Sequence, residues 1–215
     1  FYVSHAMEPI EVPTQETVDS FLPPYHPKHM LDPEKVESFG YVLDQNTHYQ
    51  SRRDMDNAMQ QVYGVAEQAS QEWLSLTGRE YPVIEGYQME GAKTVIVTMG
   101  SMCGTVKVAI DAMREKGIPV GLLKVRLFRP FPYQQIREAL QGIPCIMAMD
   151  RNFSPGLGGV LHQELKAALF GMEYTPKLHG LLAGVSGLNV TPEKIEEWVA
   201  AYSNADPVVQ SVWAE

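Results

Sequence analysis

Between residues 91 and 205, apolar runs of strand length alternate with apolar stripes of helical period, joined by short connections. Thr94–Met99 is a continuous apolar run, β-branched at first, as expected of a strand buried on both faces. Residues 103–116 place Val106, Ala109, Ile110 and Met113 on one stripe, with Gly117 as the stop signal. Val120–Val125 is the next strand, 133–140 a short helix introduced by Pro132, and Cys145–Met149 the third strand. Helix 158–170 turns Leu161, Leu165, Ala168 and Leu169 inward, and Leu178–Val185 is a fourth strand. The last helix opens with Thr191 as N-cap and Pro192 at its first position. Strands separated by helices of this size need crossover connections. The expected fold is α/β: three layers, a mainly parallel sheet with helices on both faces, preceded by an extended arm and a helix. The α/β domain is expected over 91–215.

Residues 1–90 read differently. Seven of the 15 prolines lie there, six of them between Pro9 and Pro33. Proline blocks both helix interiors and central strands, so 1–35 is expected to be an extended arm with one helical turn around Glu16–Phe21. Phe1, Tyr2, Phe21, Leu22, Tyr25 and Leu31 make it too apolar for a solvated linker, so it is expected to lie on another surface. Ala58, Met59, Val62, Ala66, Ala69 and Trp73 recur at three- and four-residue steps and predict a helix over 55–73, capped by Asp54 and ended before Gly78. The division between this connector and the α/β domain falls near residue 90. Because the first residue is Phe1 and not Met, the chain is expected to be a piece of something longer.

Charge and cysteine usage narrow the function. Seventeen Lys+Arg against 26 Asp+Glu leave a formal charge of −9, the opposite of the concentrated basic patch a nucleic-acid binder carries. No apolar run approaches the ~20 residues that span a bilayer, and no segment reads as a signal peptide, so a cytoplasmic location is expected. Cys103 and Cys145 are too few for an iron–sulfur cluster or structural zinc, and both are expected to be packed, reduced thiols.

Functional loops of a parallel sheet lie beyond the carboxyl ends of its strands. Four such ends are polar or glycine-rich: Gly100-Ser101 with Gly104-Thr105, Arg126 with Arg129, Asp150-Arg151-Asn152, and Gly184 with Ser186-Gly187. They are expected to gather along one edge, either as an anion or cofactor cleft or as a face docked on a neighbouring domain or subunit. Ser101, Thr105, Arg126, Arg129, Asp150 and Arg151 are the interface candidates. Arg126, Arg129 and Arg151 are expected close together near Asp150, whose single charge cannot answer three guanidiniums, so at least one should pair with a carboxylate from another domain or subunit, or with a bound anion. Gly156-Leu157-Gly158-Gly159 falls short of a dinucleotide fingerprint, which needs glycine where Leu161 stands. Gly100–Thr105 lacks the Gly-Lys-Ser/Thr ending of a phosphate loop, and Cys103 has no sequence-local histidine base. No self-sufficient active site is legible. A stand-alone nucleotide-binding domain is the alternative from another class.

The runs LPPYHPKHMLDPE at 22–34, VTMGSMCGTVKVAIDAMREKGIPVGLLKVRLFRPFP at 97–132 and DRNFSPGLGG at 150–159 occur in that order. As a set they resemble the C-terminal part of the alpha subunit of pyruvate:ferredoxin oxidoreductase (pyruvate synthase) and its 2-oxoacid:acceptor oxidoreductase relatives, over essentially the whole chain. Tyr2, Ser4 and His5 look like the end of that family's preceding domain. The family's late glycine-rich Arg-Asp turn stands here as Gly187-Leu188-Asn189-Val190, without the charged pair. The resemblance implies a transketolase C-terminal-like domain in an enzyme that decarboxylates a 2-oxoacid oxidatively. It implies thiamine diphosphate, Mg, [4Fe-4S] clusters and coenzyme A in the complete complex, with ferredoxin as electron acceptor. Those groups are expected on a preceding domain and on partner subunits, with none bound by this chain alone, no catalytic residue here, and an isolated chain that is inactive. Pyruvate is the expected substrate; a branched-chain or aromatic 2-oxoacid, or 2-oxoglutarate, is the alternative.

Overall fold

The computed structural model describes residues 11–40 and 42–214. Phe1, Tyr2, Ser4 and His5 lie outside the described residues. The chain divides into two compact units, 11–82 and 83–214 among the described residues.

In the first unit the helical turn expected at Glu16–Phe21 is α1 (Gln15–Phe21), with Thr14 as N-cap. The helix expected over 55–73 is instead two, α2 (Gln45–Gln60) and α3 (Val62–Thr77), which meet at Gln61. Asp54 lies within α2; the cap is Asp44, whose carboxylate accepts from the Asn46 and Thr47 amides at 2.9 and 3.1 Å. The first ten residues of α2 are almost wholly polar, so no apolar stripe betrays them. Gly78 ends α3 in the left-handed conformation (φ 71°), as expected. Phe21 packs edge-on against Trp73 at 5.0 Å. Ser70 is the one buried residue among those described in this unit.

The second unit is a three-layer α/β fold. Its strands are β1 (Ile84–Tyr87), β2 (Thr94–Thr98), β3 (Val120–Val125), β4 (Cys145–Asp150), the short β5 (Phe153–Ser154) and β6 (Gly158–Gly159), β7 (Lys177–Leu182) and β8 (Val212–Trp213). Its helices are α4 (Met102–Glu115), α5 (Tyr133–Ala139), α6 (Val160–Leu169) and α7 (Pro192–Tyr202). The main sheet has the order β1-β3-β2-β4-β7-β8; β1 is antiparallel to β3 and every other pairing is parallel. Alternate side chains supply two cores. Ile96, Leu122, Met147 and Leu181 pack with Val106, Ile110 and Met113 of α4 and Ile195, Trp198 and Val199 of α7. Val95, Val97, Leu123, Ile146 and Ala148 pack on the opposite face with Ile136 of α5 and Leu161, Leu165 and Ala168 of α6. Burying each such side chain contributes roughly 1.5–3 kcal/mol, so the central strands anchor the unit.

Three differences from the sequence pattern follow from tertiary pairing. β1 and β8 are edge strands of four and two residues, too short and too exposed to show an apolar run. β1 brings Ile84–Tyr87 into the sheet, ahead of the division drawn near residue 90. The helix expected from 158 starts at Val160, because Gly158-Gly159 pairs with Phe153-Ser154 in a hairpin turned by Gly156 (φ 81°) and Gly158 (φ 96°). Thr191 caps α7 as expected, its Oγ1 accepting from the Lys194 amide at 3.3 Å. Thr191→Ala is expected to lower stability by about 1 kcal/mol, and Thr191→Ser to preserve it. Denaturant midpoints check this; equal midpoints for parent and Thr191→Ala would show that the cap contributes nothing.

Candidate functional site

At the end of β2 the chain turns through Gly100 (φ 70°) into α4, with Ser101 exposed at the N-cap position. Thr98 Oγ1 donates to Met149 O at 2.8 Å and ties the ends of β2 and β4 together. These two strands are neighbours, yet β3 follows β2 on one side and β4 returns on the other. The crevice between their carboxyl ends is therefore the topological switch point of the sheet, where ligands of open α/β sheets bind. Ser101 and Arg151 meet across it, Arg151 Nη1 to Ser101 Oγ at 3.4 Å. Thr105 lies one turn further along α4, half-buried.

The three arginines do not crowd together. Arg126 at the end of β3 pairs with Glu85 of β1, which also accepts from Lys107 Nζ at 2.8 Å and has Lys124 Nζ at 3.9 Å. The hydrogen bond from Lys107, then that from Arg126, holds the Glu85 carboxyl below the usual carboxylate range against the effect of burial. Arg129 lies over the Phe128 ring at 4.3 Å and pairs with Glu164 of α6 at 2.7 Å, where Tyr133 Oη also donates at 3.0 Å. The strands carrying Arg126 and Arg151 are separated by β2, which spreads the charges.

Asp150 answers none of these arginines. It is buried (5% exposed), and its Oδ2 accepts from the His162 amide at 3.1 Å, so its charge faces the first turn of α6. Burial pushes its carboxyl up to about 6 against two backbone hydrogen bonds, from His162 and Leu161. Gly159 makes the approach possible, since a Cβ there would stand 2.6 Å from Asp150 Oδ2. The expectation of an Asp150–arginine cluster is thus corrected: β4 ends at Asp150, whose carboxylate turns to the first turn of α6, while Arg151, in the bend that follows, reaches Ser101.

A polar pair that the sequence did not reveal lies beside Asp150. His162 is fully buried, with Nδ1 2.8 Å from Ser211 Oγ, and Ser211 Oγ also accepts from the Gly159 amide at 2.9 Å. Burial holds the His162 imidazole down to about 4, and therefore neutral at pH 7. Both cysteines are buried free thiols whose pKa burial raises, so Cys103 is not activated by its place at the start of α4. Among the described residues, no three His, Cys, Asp or Glu side chains form a metal-binding group, and no helix is long and apolar enough to cross a membrane.

Residues 92–195 match the family model for pyruvate:ferredoxin oxidoreductase core domain II. The chain is 38% identical over 206 residues to pyruvate synthase subunit PorA of Methanothermobacter thermautotrophicus, covering 96% of this chain and 53% of that one. It is 35% identical over 198 residues to ketoisovalerate oxidoreductase subunit VorA of Pyrococcus horikoshii, covering 91% of this chain and 50% of that one. The chain thus spans about half the length of these curated relatives. The fold is shared with the 2-oxoglutarate:ferredoxin oxidoreductase from Magnetococcus marinus, at a TM-score of 0.50 and 20% identity over 76% of this chain and 24% of that one.

Proposed function

We propose that this chain, which belongs to the pyruvate:ferredoxin oxidoreductase family through its core domain II at residues 92–195, is the C-terminal part of the alpha subunit of a 2-oxoacid:ferredoxin oxidoreductase. The complete enzyme oxidises pyruvate to CO2 and acetyl-CoA and passes electrons to ferredoxin in the cytoplasm. The observation that carries this is the 38% identity to a pyruvate synthase subunit across 96% of the chain. The 35% identity to a ketoisovalerate oxidoreductase subunit supports a second substrate class, branched-chain 2-oxoacids.

Within that enzyme the chain's role is structural. Thiamine diphosphate with Mg and the [4Fe-4S] clusters belong to the remaining parts of the complex, as does coenzyme A. The donor chemistry here does not suit a cluster: the two thiols are buried at 2% and 3% exposure, among apolar neighbours. No step of the reaction is assigned to a residue of this chain. The strand-end edge of Ser101, Thr105, Arg126, Arg129, Asp150 and Arg151 faces the rest of the enzyme, and the unit 11–82 lies against a partner surface. In support, Tyr25, Leu31 and Val36 are 87%, 84% and 107% exposed, and an apolar groove of about 520 Å³ is lined by Val18, Phe21, Leu22, Ala69, Trp73 and Tyr81. Apolar surface of that extent in a unit with so small a core is what a covered interface supplies.

The test is reconstitution with the remaining subunits, followed by coenzyme A-dependent dye or ferredoxin reduction with pyruvate, 2-oxoisovalerate, 2-oxoglutarate and an aromatic 2-oxoacid. Pyruvate is expected to give the highest kcat/KM, and the isolated chain no turnover. An assembled complex that oxidises no 2-oxoacid, or an isolated chain that binds thiamine diphosphate tightly, would overturn the assignment.

A further inference from the structure

Of the three strand-end arginines, two are answered by carboxylates of this chain, Arg126 by Glu85 and Arg129 by Glu164. Arg151 is not: among the described residues no carboxylate lies within 4 Å of it, its Nε is buried with no hydrogen-bond partner, and its single polar contact is Ser101 Oγ at 3.4 Å. The guanidinium lies against the turn after β7: Gly184 is left-handed (φ 70°), and a Cβ there would be 2.9 Å from Arg151 Nε and 3.4 Å from Nη2, so the glycine leaves the room the group occupies. The next residues strengthen the impression of a shaped loop, since Ser186 has φ 55°, unusual for a residue with a side chain. Asp150 does not neutralise Arg151, because its carboxylate is engaged at the first turn of α6. A partly buried arginine without a counter-charge is costly in a chain with a nine-charge acidic excess, where acceptors are plentiful.

We propose that Arg151 binds an oxyanion from outside this chain, a carboxylate or phosphate group, in the switch-point crevice with Ser101 as its second contact. The guanidinium donates through its terminal nitrogens and Ser101 Oγ donates a third hydrogen bond, a set that suits the paired oxygens of either group. The anion has two possible sources, a free small molecule or an acidic side chain of the neighbouring protein surface. The second source rests on the reading above that this edge faces the rest of the enzyme; the first does not.

Titration of the chain with inorganic phosphate, pyrophosphate and acetate, followed by guanidinium nitrogen resonances and by thermal midpoint, decides the first source. Saturable binding to the parent, weakened about tenfold or more in Arg151→Gln, is expected if the anion is a free molecule. Ser101→Asp sets a carboxylate beside the guanidinium at the start of α4, where the helix dipole favours a negative charge. It should abolish anion binding and raise the midpoint of the unliganded chain, and it keeps the test valid if Arg151→Gln fails to fold. If no free anion binds, assembly with the remaining subunits is measured for parent, Arg151→Gln and Ser101→Asp, with Lys177→Gln as a control at the far end of the sheet. Loss of about tenfold or more in assembly affinity for the first two, with the control unchanged, assigns the anion to a partner's carboxylate. If none of these variants differs from the parent in anion binding, midpoint or assembly, Arg151 is a solvated surface residue and the proposal is wrong. The first experiment does not depend on the enzyme being an oxidoreductase, so its outcome stands apart from that assignment.

Discussion

Gly180→Ala is expected to destabilise the chain by about 3 kcal/mol or more, although it adds a single methyl group. A Cβ at position 180 would stand 2.5 Å from Cγ and 2.6 Å from Cε1 of His162, and closer still to Nδ1. The ring cannot retreat, because it is fully buried, bonded to Ser211 Oγ at 2.8 Å and carried on a backbone whose amide donates to Asp150. Relief requires either a displaced strand β7, at the centre of its pairing with β4, or a displaced ring that abandons Ser211. Overpacking costs typically 1–3 kcal/mol, and a buried polar group left unpaired about 1–3 more. The contact can be isolated in a double-mutant cycle with His162→Ala, which empties the space the methyl needs. The penalty for Gly180→Ala should shrink by about 1.5 kcal/mol or more in that background. An unchanged penalty would mean that the strain lies elsewhere in β7.

Acid should reveal a second large effect, in which two buried groups oppose each other. Asp150 titrates in the folded chain at about 6 against an ordinary 3.8, so its contribution to stability is fully present below about pH 3.8 and lost as pH rises through 6. His162 titrates at about 4 against 6.5, so its contribution is present above about pH 6.5 and lost as pH falls through 4. With each pKa unit equal to about 1.4 kcal/mol, either group alone would change stability by about 3 kcal/mol. Between pH 4 and 6 the two slopes have opposite signs and largely cancel. Asp150→Asn keeps an acceptor for the α6 amides and removes the unpaired buried charge. It is expected to be more stable than the parent at pH 7 and to lose that advantage steadily on acidification to pH 4. His162→Phe should show the converse, gaining on the parent as pH falls from 6.5 to 4. Denaturant unfolding across this range gives the variant-minus-parent difference, which removes the contribution of the other carboxylates. Parallel profiles for parent and variants would show that neither group is linked to folding.

Much of the architecture is already written in local pattern. The runs at 94–99, 120–125 and 145–149 are mostly apolar, without strict alternation, because each strand is covered on both faces and a residue's burial on one side or the other leaves the same mark. Helix stripes, the Gly78 stop and the Thr191 cap are equally local, since they depend on residues three or four apart. The family resemblance, too, rested on contiguous runs. What sequence alone could not determine is which charge meets which. Glu85 joins Arg126 only because β1 pairs antiparallel with β3, and the four residues of β1 carry too little buried surface to announce a strand. Glu164 reaches Arg129 across 35 residues, and His162 reaches Ser211 across 49. Asp150 and Arg151, read together as one charged corner, part company because the strand ends between them: Asp150 is taken by the amides of α6, and Arg151, in the bend beyond, meets Ser101. Hydrophobic periodicity is a property of one segment, whereas a counter-ion is chosen by the neighbour that strand order and register bring within 4 Å. Only the tertiary structure could show that Arg151, of three similar arginines, is the one with no carboxylate within 4 Å among the described residues.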